Sequence, residues 1–581
     1  MGQSAHSEVS SATPVEPPLR VDDAADMQWD EVCDVLVVGF GAAGACAALE
    51  ASAAGARVRI VERFEGGGAS AKSGGVVYAG GGTRHQIEAG YSDTPAAMYE
   101  YLRQEVGDAV SAATLKRFCA GSIEMLTWLE QLGVRFASSV PPRKTSYPQN
   151  RYYLYYSGNE AVGDVPRKLP PAPRGHRVLG RGMSGRMLYD TLHQAVNAQT
   201  QIETMCHSAV RRLVVDNSGR VIGAQVWQVL PGQAQRRHRR LARWTERLHN
   251  GLPALAERLR AAQHRIELDQ SRLLTIKADA LILSTGGFIF NRQMVTEHAP
   301  RYLPNLRLGA SGCDGAGIRL GVSAGGVTKH LERVSAWRFI NPPYAWAQGC
   351  VVDRRGERFC NEEVYGAALG HAMCETREGR AWLILDARLV KLALRECLRG
   401  NLWAFQSIPA LMLMLLGRRR ARTPAELAAR IDMDPKVLQQ TIELYNASAR
   451  SGRDSAFGKS AAMLYPLEQG PYYAIDISSD SRIFPCPSIT LGGLQVDESS
   501  NAVLSETGKP VAGLFAAGRA ACGIASNHYV SGLSLADCIW SGRQAGRAAT
   551  GSVLANRATS LTKTEKRELR WDTDSKTRSP L

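Results

Sequence analysis

Residues 34–44, DVLVVGFGAAG, run from an apolar, β-branched stretch into a turn built on Gly39, Gly41 and Gly44, and the alanine-rich ACAALEASAAG follows at once. The order is strand, tight turn, helix. In such a unit the first glycine allows the turn, the second lets backbone approach a pyrophosphate at the helix N-terminus, and the third permits close helix–strand packing. Ala42 and Ala43 complete the turn. A second strand, ARVRIVE, ends in Glu62, eighteen residues after Gly44. An acid at that place can hydrogen-bond a ribose 2′-hydroxyl. Strand context, spacing and terminal acid together predict a dinucleotide site in an α/β fold.

At 581 residues the chain is longer than one hydrophobic core can serve, so at least two domains are expected. With 44% hydrophobic and 22% charged residues and 56 glycines, the composition excludes disordered, collagen-like and multispanning membrane classes. The net charge of +15 comes from three segments, 236–265, 388–422 and 557–581, while the rest is nearly balanced. Local basic patches on a balanced body suit a docking surface better than a nucleic acid, and no zinc finger, RNP sequence or bZIP heptad is present. No nucleic-acid partner is expected. The twelve cysteines form no CxxC pair and no Cys/His cluster, which predicts reduced cytoplasmic thiols and no metal site. The first 30 residues read as a polar tail without a charged and apolar leader, and His6 argues against myristoylation.

Further glycine-rich blocks follow Glu62 and Arg63: GGASAKSGG (67–75), ADALILSTGGF (278–288), SGCDGAGIRLG (311–321), GLFAAGRAACG (513–523) and SGLSLADCIWSGRQAG (531–546). Together with the first motif they resemble the fumarate reductase/succinate dehydrogenase flavoprotein superfamily over nearly the whole chain. The resemblance implies FAD and a Rossmann-like FAD-binding domain with an inserted α+β capping domain. It places Gly68, Ala69, Ser70, Ser73, Gly74 and Gly75 along the diphosphate and isoalloxazine. Thr285, Gly286, Asp314, Gly518 and Arg519 join them, and Ser534 and Leu535 face the flavin pyrimidine at a helix N-terminus. The expected FAD-binding domain covers 31–325, with a basic helical insertion at 231–268, and resumes at 484–552. The capping domain covers 326–483, and 553–581 form a charged tail. GERFCNEEVYG (356–366), TPAELAARIDMDPKVLQQTIELYN (423–446) and GPYYAI (470–475) mark the cap. In the second of these, Thr423, Pro424 and Glu426 predict a capping box. The family's linking His after Glu62 is absent, so noncovalent FAD is expected. No Fe–S or haem motif accompanies it, so electrons must leave to an external acceptor, a quinone or another.

Three positions depart from the dicarboxylate reductases of this superfamily. Where they place a proton-donating arginine the chain has Gly366, preceded by Tyr365; where they place a carboxylate-clamping arginine it has Tyr529; and Ser488 and Ile489 stand before the GG turn. A bidentate fork has become a phenol. The resemblance then narrows to the 3-ketosteroid dehydrogenases, most closely the Δ4-(5α) group, through VVYAGGGTRHQIEAGYSDTPAAM, YYSGNEAV, PPAPRGHRVLGRG and HYVSGLSL. It implies a steroid substrate, proton abstraction from C4 and hydride transfer from C5. Tyr529 is implied as proton acceptor, with Tyr365 and Ser531 as its relay and backbone near Gly532 and Ser534 as donors to the C3 oxygen. A Δ1-dehydrogenase and a flavin-dependent enone reductase remain alternatives. Ser531 could equally be a helix N-cap, and RYYLYYSG (151–158) offers four tyrosines without a means of choosing among them.

Within the insertion, Leu241, Trp244, Leu248, Leu252, Leu255 and Leu259 recur at helical spacing around the Gly251–Pro253 turn, among arginines. This predicts a basic amphipathic hairpin. LWAFQSIPALMLMLLGRRRAR (402–422) is apolar, too short to span a bilayer, and ends in arginines. Both stretches suit a peripheral membrane surface, which would place a cytoplasmic protein against the inner face of the membrane. They would equally suit packing on the body or on a second subunit.

Overall fold

The computed structural model describes residues 12–576 except 23, 164, 400 and 401, and the side chains of residues 26, 167, 168 and 559–576 are not described. Its frame is a nine-stranded sheet. In chain order the strands are β1 (Leu19–Val21), β2 (Glu31–Val38), β3 (Val58–Val61), β4 (Ile202–Met205), β5 (Ser208–Asp216), β6 (Val221–Val229), β7 (Ser271–Leu283), β8 (Ala502–Leu504) and β9 (Pro510–Ala516). They lie in the order β1-β5-β6-β7-β2-β3-β4, and β9 pairs with both β7 and β8. β7 joins two kinds of sheet: its first half pairs antiparallel with β6, and its second half lies parallel to β2 and β9.

β2 is buried from Cys33 onward, with Val35 and Val37 in one core and Leu36 and Val38 in another. A strand covered on both faces reads as a continuous apolar run. It leads into α1 (Ala42–Ala53), which is buried along nearly all of its length. Gly39 has φ +102°, and a Cβ on Gly44 would stand 2.0 Å from the Gly39 carbonyl oxygen, so both the turn and the close approach require glycine.

A second core draws on residues between Ala299 and Cys486. It lies around a four-stranded antiparallel sheet of Cys350–Val352, Trp382–Leu385, Tyr472–Asp476 and Arg418–Ala421, in that spatial order. Helix Pro424–Ala429 starts as expected at Thr423, whose hydroxyl accepts the Glu426 N–H at 3.2 Å. The reciprocal half of the box differs: the Glu426 carboxylate accepts the Arg422 N–H at 3.0 Å.

Part of the stretch expected as a polar tail is instead tied down. Thr13 is buried and donates to Asp314 from both N–H (2.7 Å) and hydroxyl (2.8 Å), and β1 pairs with β5. At the other end, α6 (Leu533–Lys576) continues as helix into the expected charged tail; four earlier helices shape the site and the surface beside it. These are α2 (Gly185–Asn197), α3 (Gln233–Leu248), α4 (Pro253–Asp269) and α5 (Ala404–Leu415).

The insertion between β6 and β7 is the hairpin α3–α4, but the face it buries is not the leucine stripe. His238, Ala242 and Thr245 of α3, His249 just past its end, and Ala256, Arg260, Gln263, His264 and Glu267 of α4 are buried, while Trp244, Leu252 and Leu255 stay exposed. Charge pairing decides this. The Glu267 carboxylate takes two bonds from the Arg63 guanidinium at 2.9 Å and lies 2.9 Å from His238 Nε2, and the Arg63 fork also reaches Asp314 at 2.8 Å. Arg63 and His238 hold the Glu267 carboxyl well below its ordinary range despite burial. Glu267→Ala should therefore leave Arg63 buried and half-paired, lowering stability by about 3 to 5 kcal/mol. The urea midpoint reads this, and an unchanged midpoint would show that the hairpin is held by other contacts.

Candidate active site

The N-terminus of α1 opens on a cavity of about 780 Å³. Gly39, Gly41, Ala42, Ala43, Glu62, Arg63, Gly68, Ala69, Ser70, Thr285, Gly286, Asp314 and Arg519 lie on its wall, as the sequence predicts for a cofactor site. Gly41 caps α1 without a side-chain bond, and Ser70 Oγ accepts the Ala42 N–H at 3.1 Å. Three expected residues stand behind the wall: Gly44 of α1 against the Gly39 carbonyl, Gly75 against Ser184, and Gly518 against Ala43. Two others are engaged within the protein. Asp314 holds Thr13 and Arg63, and Glu62 accepts the N–H groups of Phe40 (2.7 Å) and Phe64 (2.8 Å), while burial pushes its carboxyl up. The wall also includes residues that the sequence did not suggest: Arg186, Tyr189 and His193 of α2, and Arg243, Glu246 and Arg247 of α3. A cavity of this size, lined by glycine backbone, a helix N-terminus and an acid just beyond the next strand, fits FAD.

A second cavity of about 590 Å³ adjoins the first. Ala69, Ser70, Lys72, Glu246, Arg519 and Cys538 line both. Ser73, Gly74, Ser534 and Leu535 fall on the second cavity, which also brings Tyr365 together with Tyr529 and Ser531 from a distant segment of the chain. Trp337, Phe339, Trp346 and Phe405 supply an aromatic lining. Tyr529 packs on Trp337 with ring centroids 4.7 Å apart, and Tyr365 packs edge-on against Phe339 at 5.5 Å. The Tyr365 N–H donates to Asn159 Oδ1 at 2.7 Å, which fixes its place at the start of helix Gly366–Thr376.

Ser531 is not a helix cap, because α6 starts at Leu533 and leaves Gly532 at that position. Its hydroxyl lies 3.1 Å from the hydroxyl of Tyr155, which is fully buried in strand Leu154–Tyr155. Of the four tyrosines in 151–158, this is the one at the site: Tyr156 donates to the Pro171 carbonyl, Tyr152 lies under Arg151, and Tyr153 under Arg177. The Tyr155 backbone pairs with Gly175, and that register aims it inward. No local pattern in RYYLYYSG encodes the choice.

Electrostatics separate the three phenols. Burial pushes Tyr529 up to about 12, opposed by the nearby Arg519 cation. Burial pushes Tyr155 and Tyr365 up more strongly, each also repelled by Tyr529 and relieved by Ser531. Tyr529 is thus the phenol that most readily carries charge. Lys72, brought down to about 8 by burial, and Arg519 both sit where the cavities meet, leaving the far wall apolar.

Residues 34–532 match the FAD binding domain family. Over 519 residues, 88% of this chain and 97% of the other, the chain is 42% identical to the 3-oxo-5-alpha-steroid 4-dehydrogenase of Comamonas testosteroni. The chain belongs to that flavoprotein family. A crystal structure of the 3-ketosteroid-delta4-(5alpha)-dehydrogenase from Rhodococcus jostii RHA1, in complex with 4-androstene-3,17-dione, superposes with a TM-score of 0.78 at 28% identity, covering 92% of this chain and all of that one. A probable fumarate reductase of Shewanella frigidimarina is 26% identical over 89% of this chain and 74% of its own. FAD is accordingly the cofactor of this flavoprotein, within the fumarate reductase superfamily.

With no linking histidine after Glu62, the purified protein should be yellow and should release its flavin into the supernatant on acid precipitation. Colour retained in the pellet would contradict noncovalent binding.

Proposed function

We propose that this flavoprotein is a 3-oxosteroid 4-dehydrogenase that takes one hydrogen each from C4 and C5 of a saturated 3-ketosteroid. The observation that carries the reading is the phenol and serine cluster in an aromatic cavity adjoining the FAD site. The relative crystallised with 4-androstene-3,17-dione supports it. A flat, neutral, hydrophobic molecule matches a lining of Trp337, Phe339, Trp346 and Phe405 and the absence of a carboxylate clamp on the far wall among the described residues. The proposed division into an FAD-binding domain of 31–325 and 484–552 and a cap of 326–483 puts the cavity between the two.

Bound FAD supplies the acceptor for the hydride that leaves C5. The protein's part is the proton. The C3 carbonyl acidifies C4, and the Tyr529 oxygen takes that proton, with Arg519 favouring the phenolate that must precede it. Ser531, beside Tyr155 and within reach of Tyr365, passes the proton onward. Charge that develops on the C3 oxygen meets the N-terminus of α6, where Gly532, Ser534 and Leu535 line the cavity. The electrons leave to an external acceptor, a quinone or another. No helix among the described residues is long and apolar enough to cross a membrane. We place the protein in the cytoplasm, against the inner membrane face.

Tyr529→Phe should lower steroid dehydrogenation by about 10²- to 10⁴-fold with FAD still bound, as absorbance would show. Tyr365→Phe should be milder, and Ser531→Ala milder again because water can substitute. If the wild type reduces fumarate, or if Tyr529→Phe keeps more than about a tenth of the steroid rate, the cavity serves other chemistry.

The base works deprotonated and its pKa lies above neutrality, so kcat/KM should rise with pH between about pH 7 and about pH 10. Arg519→Met removes the opposing cation and should displace that rise to higher pH. A profile identical to wild type would separate Arg519 from the proton step.

A further inference from the structure

Apart from Lys72, which sits at the junction with the cofactor cavity, the exposed lining residues of the steroid cavity mark its open side. They are Met183, Asn250 at the tip of the α3–α4 hairpin, and Phe405 in the first turn of α5. Exposed apolar side chains surround that opening. α5 buries Ala410, Leu413 and Met414 on one face, and on the other it leaves Phe405 (52% exposed), Ile408 (55%), Met412 (42%) and Leu415 (61%), with Leu416 (72%) just beyond its end. Residues 405, 408, 412 and 415 recur at helical spacing, so they form one stripe on a helix that is apolar nearly all round. Such a helix in water lacks a partner. The hairpin tip adds exposed Leu252 and Leu255.

Charge identifies the partner. Arg419, Arg420 and Arg422 follow α5, are exposed, and make no ion pair among the described residues. Exposed Arg247 and Arg258 flank the apolar tip of the hairpin. Apolar side chains rimmed by uncompensated arginines match an interface of acyl chains beneath anionic headgroups. A second copy of this chain would bring the same positive rim against itself. α5 has 12 residues, too few to cross a bilayer but enough to lie in its surface.

We propose that the α5 stripe and the hairpin tip seat the cavity mouth on an anionic phospholipid bilayer, so that the steroid enters from lipid. The proposal rests on reading the cavity as a steroid site.

The test is flotation of the FAD-loaded protein with phosphatidylcholine vesicles, with and without phosphatidylglycerol, at low and high salt. Expected is flotation with the anionic vesicles, weakened by salt and abolished by Ile408→Asp with Leu415→Asp. That double variant should keep wild-type turnover of a cyclodextrin-carried 3-ketosteroid, since neither residue lines the cavity. Arg419→Glu with Arg420→Glu, at exposed positions, should weaken vesicle binding by about tenfold or more. No flotation with either vesicle, flotation undiminished in both variants, or a dimer in light scattering that the aspartates split would each overturn the proposal. Failure of the steroid reading shows separately, as absent turnover of the cyclodextrin-carried steroid by the wild type.

Discussion

The site depends on how closely α1 is held between the sheet and α6. On one side Gly44 lies against the Gly39 carbonyl, and on the other a Cβ at Gly542 would come within 2.4 Å of the Ala43 carbonyl oxygen and one at Gly546 within 2.3 Å of that of Ala47. Three missing side chains bring two helix axes and a sheet together. The consequence is functional. The N-terminus of α1 opens on the cofactor cavity and that of α6 on the adjoining cavity, so the two positive helix ends are set at fixed positions relative to each other.

The same closeness explains what could be read from the chain alone. Gly39 and Gly44 are legible because a positive φ and a close backbone approach leave only one residue type there, whereas the later blocks were read from their resemblance to a family. Tyr529 was found by the arginine it replaces in a resembling family, and Tyr365 and Ser531 as what the narrower resemblance implies; the three line one cavity although Tyr365 is far from the other two in sequence. Tyr155 was not separable from its neighbours, since its identity as the Ser531 partner comes from pairing with Gly175 across the sheet. The α2 residues on the cofactor wall left no local signal either, because a helix presents Arg186, Tyr189 and His193 to a ligand without any special spacing.

The hairpin shows a different failure of pattern. Periodicity finds apolar stripes, and the stripe was present, but α3 and α4 turned a face of His238, His264, Gln263 and Glu267 inward. Arg63 decides between the faces. A guanidinium buried beside the cofactor cavity must be neutralised, and Glu267 with Asp314 does so. The ion pair that anchors the hairpin therefore also explains why Trp244, Leu252 and Leu255 remain in contact with solvent.

An apolar cavity also constrains which base the chemistry can use. A carboxylate placed there would be driven towards its neutral form, as burial does to Glu105 and Glu160 behind the site, and when ionised it would repel the charge that builds on the C3 oxygen. A phenol is neutral at rest and costs little to bury once its hydroxyl has a polar neighbour. In the mechanism proposed above, its weakness as a base is met by Arg519, where the two cavities join, and by a relay of Ser531 with Tyr155 and Tyr365. Positive charge stays at the junction of the two cavities and the wall that faces the steroid stays apolar, so one pocket can bind a hydrocarbon skeleton and still move a proton.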